Sequence, residues 1–401
     1  FATCLTNAHR VFLNLAKEGL ELFSVLDQDE DITNAQAAVR VLLSSATDVF
    51  VLGIGGSSLG AKAIANLLPV IRRFPPRVTF LDNFDAATLD DVIATTDMRV
   101  ARFIAISKSG GTAETMTQAL IFSDVLDRAG LNKKDHFLII TEERDSPLRK
   151  FGLTIGCPIL PHPLGIGGRY SVFSMVGVLP VIAMGLDPRA LRAGAKSVFM
   201  QALSAKDPSA IPSVAGAALH LALSKQGRLR ETVLWTYADK LKTFGPWWQQ
   251  MWAESLGKGG GGSTPIAALG PVDQHSQLQL FLDGPGGALF TVVTTEQRGK
   301  GPAVPQKTAD QFGVSYLGGH RAGDLPAAEA RATAEALANR GRPVREIYVP
   351  KIDEFAIGAL FMHFMLETII MGRLMGVDPF DQPAVEEGKV LAKAYLEGKS
   401  V

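Results

Sequence analysis

Short β-rich apolar runs alternate along the chain with longer stretches whose apolar positions recur every three or four residues. That rhythm belongs to parallel α/β architecture. In the first half, Asp48–Leu52, Arg77–Leu81, Arg102–Ile106, His136–Thr141 and Leu153–Leu160 read as strands, with helical patterns between them such as Ser58–Leu68 and Thr112–Ala129. They predict a doubly wound domain over 41–185, after an N-terminal helical segment, 1–40. An Ala/Leu-rich helical stretch, Pro188–Gln226, predicts a connection over 186–226. A second alternating region, 227–376, carries candidate strands Thr232–Tyr237, Gln277–Leu282, Ala288–Thr295 and Glu346–Pro350, and a helix near Ala327–Asn339. The most apolar run, Phe355–Met375, contains His363, Glu367 and Arg373, which suits a buried core helix better than a bilayer span. An amphipathic pattern at Gln382–Leu396 predicts a closing helix within 377–401.

Composition narrows the function. The chain has 401 residues, enough for two domains with substantial cores, and is 47% hydrophobic and 20% charged, which argues against disorder. Lys+Arg and Asp+Glu are both 40, so there is no global field to gather nucleic acid or an acidic membrane, and neither is expected as a partner. Two cysteines, Cys4 and Cys157, give no disulfide framework, and a reducing cytoplasm is the expected compartment. No Cys/His cluster has metal spacing, so no metal is expected.

Two strands run into small-residue loops that open helices. The first loop is Gly53-Ile54-Gly55-Gly56-Ser57-Ser58 and the second is Ser107-Lys108-Ser109-Gly110-Gly111-Thr112. A helix N-terminus offers unpaired N–H groups and partial positive charge, and glycine lets an anion approach the backbone. The second loop adds three hydroxyls and an ammonium, a donor set suited to a phosphate monoester. The first partly fits a dinucleotide fingerprint, but Ser58 stands where its third glycine belongs. A plain βα turn fits it as well.

Other candidates are scattered along the sequence. After Gly245-Pro246, a helix carries Gln250 and Glu254 four residues apart, hence on one face, among Trp247, Trp248 and Trp252. A carboxylate held among aromatics loses hydration and becomes a better proton acceptor. A solvated helical glutamate is the plain alternative. His275, one of seven histidines, lies between a loop and an expected strand. Arg169 sits in the glycine-flanked stretch Gly165–Ser171, where a guanidinium can clamp an anion. Asp381 is placed to cap the last helix, and Gln382 and Lys389 lie two turns apart on one of its faces.

Taken in order, Gly53–Gly60, Ser107–Thr115, Gly168-Arg169-Tyr170-Ser171, Glu254-Ser255 with Gly257-Lys258, Gln274-His275-Ser276 and Phe380-Asp381-Gln382 with Lys389 resemble the glucose-6-phosphate isomerase (phosphoglucose isomerase) family in its shorter bacterial or archaeal form. The resemblance implies two sugar-isomerase (SIS) α/β/α domains with parallel-rich sheets, a C-terminal helix and a homodimer with shared active sites. It implies reversible exchange of glucose 6-phosphate and fructose 6-phosphate in glycolysis and gluconeogenesis, with no cofactor. By the same resemblance, Glu254 is the base moving a proton between C2 and C1, and Arg169 stabilises the enediolate. His275 opens the ring from the partner subunit, and Lys389 acts near the ring oxygen. Ser107, Lys108, Ser109 and Thr112 fall where phosphate is held, and Gly56, Ser57, Gln250 and Gln382 where the sugar or its phosphate is contacted.

The chain departs from the family pattern at Ser58, at Gly110-Gly111, at Leu256 after Glu-Ser, at Gly270–Asp273 and at Ala384. None of these is a proposed proton-transfer group. They bear on substrate selectivity. Two other readings stay open: a bifunctional phosphoglucose/phosphomannose isomerase, and a non-catalytic sugar-phosphate sensor. A sensor needs the phosphate loop but not Glu254, His275, Arg169 and Lys389 together.

Overall fold

A computed structural model describes residues 1–71 and 76–399. Residues 72–75 of the segment 41–185, and 400–401 of the segment 377–401, lie outside the described residues.

The first sheet contains β1 (Asp48–Leu52), β2 (Arg77–Leu81), β3 (Ala101–Ile106), β4 (Phe137–Thr141) and β5 (Ile159–Pro161). All pairings are parallel, in the order β2-β1-β3-β4-β5, with Val51 in register with Phe80 on one side and Ile104 on the other. β3 and β4 are buried along their whole length, because helices cover both faces of a parallel sheet. The chain leaves β1 for one edge and β3 for the other. The crevice between their C-terminal ends is therefore the switch point at which α/β sheets bind ligands. Both glycine loops open there.

The second sheet, β6 (Glu231–Thr236), β7 (Thr264–Leu269), β8 (Ala288–Thr295) and β9 (Val344–Val349), is also all parallel, ordered β7-β6-β8-β9. The fold is thus α/β with two doubly wound parallel sheets, as the apolar rhythm and the resemblance implied.

Three segments differ from expectation. Leu153–Leu160 begins inside a helix, Pro147–Ile155, and only its last two residues belong to a strand. The Ser146 side chain caps the helix at Arg149 N–H, Pro147 occupies its first turn, and Gly156, at φ +73°, ends it in the left-handed region. Only Ile159–Pro161 is strand. Gln277–Leu282 is also helical (Leu278–Asp283), with Leu278, Phe281 and Leu282 turned to the core at helical spacing. The strand missing from the reading is β7, hidden behind the Gly259–Gly262 run and carrying Pro265. As the edge of its sheet, β7 tolerates that proline.

The helix Glu354–Met375 is long and apolar enough to cross a membrane, but 83% of its most apolar stretch is buried inside the protein. It packs against Pro188–Ser204, Pro212–Lys225 and Phe244–Leu256. Its crossing with Pro188–Ser204 is backbone on backbone. A Cβ on Gly194 would lie 1.8 Å from Phe355 O, and one on Gly358 would lie 2.0 Å from Leu191 O. One core cluster includes Tyr170 and Phe173 from the first half with Trp247 and Phe361 from the second, and the Trp247 and Phe361 rings meet edge-on at 4.4 Å.

The closing helix is shorter than expected, Glu386–Leu396, after a 3-10 turn at Pro383–Val385. Gln382 precedes it in non-helical conformation, so Gln382 and Lys389 do not share a helical face. Asp381 does not cap this helix, and its carboxylate instead accepts from Lys258 Nζ. No residue of Glu386–Leu396 is buried.

Candidate active site

The first loop needs its glycines for contact as much as for turning. Gly55 has φ +59°, and a Cβ there would sit 2.7 Å from Gln250 Nε2. A Cβ on Gly56 would lie 2.3 Å from the carbonyl carbon of Gly168, so this loop and the one carrying Arg169 touch through their backbones. Ser171 Oγ donates to Gly168 O (2.6 Å) and Gly56 O (3.3 Å), closing the junction. The Ser57 hydroxyl, half-buried beside it, has no hydrogen-bond partner among the described residues.

At the end of β3, Ser107 Oγ is 2.8 Å from Thr112 Oγ1 and accepts from Gly110 N–H (3.1 Å), while Ser109 Oγ accepts from Gly111 N–H (3.2 Å). The helix Ala113–Arg128 starts at this point. Its N-cap Thr112 makes no side-chain capping bond, which leaves first-turn N–H groups for an anion. Lys108 behaves differently. Its ammonium donates to Leu164 O (3.1 Å) and Ile166 O (3.0 Å) and lies 3.7 Å from the Glu142 carboxylate.

Arg169 is the centre of the cluster and is 3% exposed. Its Nε donates to Ser255 Oγ (2.8 Å), and Nη1 donates to Gln382 Oε1 (2.7 Å) and Glu254 Oε2 (3.3 Å). Nη2 donates to the carbonyls of Pro379 and Asp381. Ser255 Oγ is also within 2.9 Å of Tyr170 OH. A buried guanidinium is tolerable only when its donors are satisfied, and here a hydroxyl, carbonyl oxygens and a single carboxylate satisfy them.

Glu254 keeps 30% of its side chain exposed, with Oε1 accepting from Gln250 Nε2 (3.0 Å) and Oε2 from Arg169. The expected aromatic surroundings do not occur. Trp247, Trp248 and Trp252 turn into the core, and the carboxylate faces an amide and a guanidinium. The aromatic residues anchor the helix: Trp247 Nε1 donates to Arg169 O at 3.3 Å, tying it to the Arg169 loop.

Thus Gly56, Gln250, Glu254, Arg169 and Gln382 converge, next to Ser57 and the loop of Ser107, Ser109 and Thr112. Two candidates stay outside. His275 does not precede a strand but follows the 3-10 turn Val272–Gln274 and leads into the helix at Leu278. It is exposed, and among the described residues it forms no side-chain hydrogen bond or ion pair. Lys389, also exposed, pairs among the described residues only with Glu386 (2.6 Å) on the unburied closing helix.

Sequence reading gave no role to Ser255, Tyr170, Lys258 or Glu142. Lys258 Nζ reaches Asp378 O, Asp381 O (2.8 Å) and Asp381 Oδ1, and so fixes the turn whose carbonyls hold Arg169. Glu142 directly follows β4, a location where crevice residues gather, and that was the available signal.

The sequence matches the phosphoglucose isomerase family profile over residues 29–267 and 326–400. The chain belongs to the phosphoglucose isomerase family. Among family members, it is 36% identical over 371 residues to a glucose-6-phosphate isomerase of Rubrobacter xylanophilus, a match covering 90% of this chain and 85% of that one. The crystal structure of a hypothetical protein from Thermus thermophilus is similar at 33% identity and TM-score 0.88, over 98% of this chain and 95% of that chain. A glucose-6-phosphate isomerase structure from Chlamydia trachomatis shares the fold at 22% identity and TM-score 0.76, over 92% of this chain and 73% of that one. The architecture is therefore that of the phosphoglucose isomerases, and the cluster around Glu254 sits within the matched region.

Proposed function

We infer that the chain is an aldose–ketose isomerase that interconverts glucose 6-phosphate and fructose 6-phosphate, a step of glycolysis and gluconeogenesis. The observation that carries this reading is the Glu254 carboxylate held against Arg169 and Gln250 beside two anion-suited loops at a sheet switch point. The phosphate lies on the hydroxyls of Ser107, Ser109 and Thr112 and on the first-turn N–H groups, and its binding positions carbons well away from it. Once the ring is open, Glu254 takes the proton from C2. The electron pair moves into the C1–C2 bond and the carbonyl oxygen becomes negative. Arg169, fixed by Ser255 and the 379–382 turn, stabilises that charge. The C2 hydroxyl proton passes to the C1 oxygen, and return of the carbon-bound proton to C1 leaves the carbonyl at C2 and gives the ketose. Gly56, Ser57, Gln250 and Gln382 contact the substrate.

Ring opening moves a proton from the C1 hydroxyl and delivers one to the ring oxygen, which breaks the bond between C1 and that oxygen. We assign it to His275 and Lys389, in a cytoplasmic homodimer in which His275 serves the partner's site. The exposure of His275 and the lack, among the described residues, of any hydrogen bond or ion pair to its side chain support this. The helix Glu386–Leu396 that carries Lys389 buries none of its residues in its own subunit, which leaves the lysine available to substrate.

The test is conversion of fructose 6-phosphate by purified protein, with mannose 6-phosphate in parallel. Rapid formation of glucose 6-phosphate, with mannose 6-phosphate inert, is expected. Turnover of mannose 6-phosphate as well gives the bifunctional enzyme. A folded protein that binds the sugar phosphate without converting it contradicts the reading.

A further inference from the structure

Lys108 stands in the middle of the phosphate-suited loop, yet its ammonium is engaged elsewhere. Two of its three donors reach the carbonyls of Leu164 (3.1 Å) and Ile166 (3.0 Å), and the Glu142 carboxylate lies 3.7 Å away. Glu142 has 6% of its side chain exposed, and its second oxygen is paired with Arg144 Nε at 2.7 Å. Burying a carboxylate costs free energy unless it is paired, and Glu142 is paired with the very lysine that reaches the 164–166 carbonyls. Glu142 N–H also donates to Lys108 O at 3.3 Å, so the backbones of the two loops are tied as well.

The segment on which Lys108 acts runs straight into Arg169. It is anchored a third time by Gly165 N–H, which donates to Glu21 Oε2 at 2.8 Å, in a space where a Cβ on Gly165 would meet that oxygen at 2.5 Å. Ile166 is buried, and Gly168 then passes against Gly56. Residues 164–168 are thus pinned at one end by the ammonium and at the other by the first glycine loop, and the guanidinium follows immediately.

We propose that Lys108, held by Glu142, is a positioning residue that ties the phosphate loop to the Arg169 loop through the Leu164 and Ile166 carbonyls, and that its side chain is not a phosphate ligand. This rests on the isomerase reading of the site. A lysine suits the task because one compact ammonium offers three donors to groups in different directions. The substrate phosphate is left to hydroxyls and backbone N–H groups, and an occupied loop is mechanically continuous with the group that stabilises the enediolate. Misplacement of such a group by about 1 Å can cost on the order of 100-fold in rate.

The experiment measures kcat and KM for fructose 6-phosphate, the competitive inhibition constant of inorganic phosphate, and thermal unfolding for the wild type, Lys108→Met, Lys108→Arg, Glu142→Gln and the Lys108→Met/Glu142→Gln pair. The expected result is a fall in kcat of roughly 10-fold or more in Lys108→Met, with phosphate inhibition within about 3-fold of wild type. Glu142→Gln should fall in the same direction, Lys108→Arg should recover much of the loss, and the pair should be no worse than Lys108→Met alone. If Lys108→Met weakens phosphate about 10-fold or more while kcat holds, the ammonium is a phosphate ligand and the proposal is wrong. Should Lys108→Met fail to fold, an unchanged kcat in Glu142→Gln overturns it equally. Inactive wild-type protein would instead contradict the isomerase reading, so the two failures are distinguishable.

Discussion

At the residue scale, the proposed chemistry turns on a carboxylate with two polar neighbours, Arg169 and Gln250. Glu254→Gln keeps the size and the contact with Arg169 but cannot accept a proton. We predict turnover lower by on the order of 100-fold or more, with inhibition by a sugar-phosphate analogue nearly unchanged. Near-normal turnover would remove Glu254 from the mechanism. That Glu254 and Gln250 share a face was legible in sequence because they are one helical turn apart, while the role given to Glu254 came from the family resemblance. The surroundings of Glu254 were not legible: three nearby tryptophans suggested an apolar setting, whereas the helix turns them inward and presents Glu254 to Arg169 from 85 residues earlier in the chain.

A buried histidine makes a pH prediction. His220, wholly buried, has Nδ1 3.0 Å from Gly216 O and Nε2 3.1 Å from Thr232 Oγ1. Burial drives its pKa down to about 4, against the pull of Glu367 and with the help of Arg345. Around it lie Glu367, in bidentate contact with Arg345 (2.7 and 2.8 Å), and His363, 3.3 Å from the same carboxylate. For Glu367, burial favours the neutral acid, but Arg345 and His363 outweigh it and hold the carboxyl below the ordinary range. A histidine with a depressed pKa binds its proton more readily in the unfolded chain. Stability is therefore full above about pH 6.5 and is lost as pH falls towards 4, by about 3 kcal/mol for this group. Denaturant unfolding at a series of pH values should show a shallower acid slope in His220→Asn than in wild type, and an identical slope would contradict the assignment.

At the scale of elements, the outcome separates long periodic segments from short apolar runs. The helix Glu354–Met375 and strands β1 to β4 follow from apolar pattern alone. The run around Leu153 and the run at Gln277–Leu282 are too short for period to discriminate. In the first, the deciding signals were local: the Ser146 cap, Pro147 and the left-handed Gly156. β7 was missed because an edge strand holding Pro265, entered from four glycines, carries little of the usual strand signature. Elements also set the junction between Gly56 and Gly168. Gly56→Ala places a methyl where the backbone of the Arg169 loop already lies, at a cost of about 1–3 kcal/mol in overpacking. We expect a folded protein whose kcat falls roughly 10-fold or more while its melting temperature drops modestly. Wild-type kcat in that variant would show that the loop junction does not place Arg169.

For the whole molecule, one core cluster draws on both halves of the chain, and Arg169, Glu254 and Gln382, far apart in sequence, meet. His275 and Lys389 do not meet them within the subunit. A single chain's pattern carries no information on what a neighbouring copy supplies, so their roles rested on resemblance. Mixed dimers of Glu254→Gln and His275→Ala subunits test sharing: one of the two sites in each mixed dimer then has both groups intact, and we predict partial recovery of activity. Mixed dimers that form but stay inactive would confine each site to one subunit.

The central claim is that a protein carboxylate moves a proton through an enediolate, and solvent deuterium reads it directly. Fructose 6-phosphate converted in D2O should give glucose 6-phosphate carrying deuterium at C2 in at least part of the product, with both exchange and conversion lost together in Glu254→Gln. Complete conversion with no deuterium at C2 would mean that the hydrogen never passes through an exchangeable base, and would contradict the account.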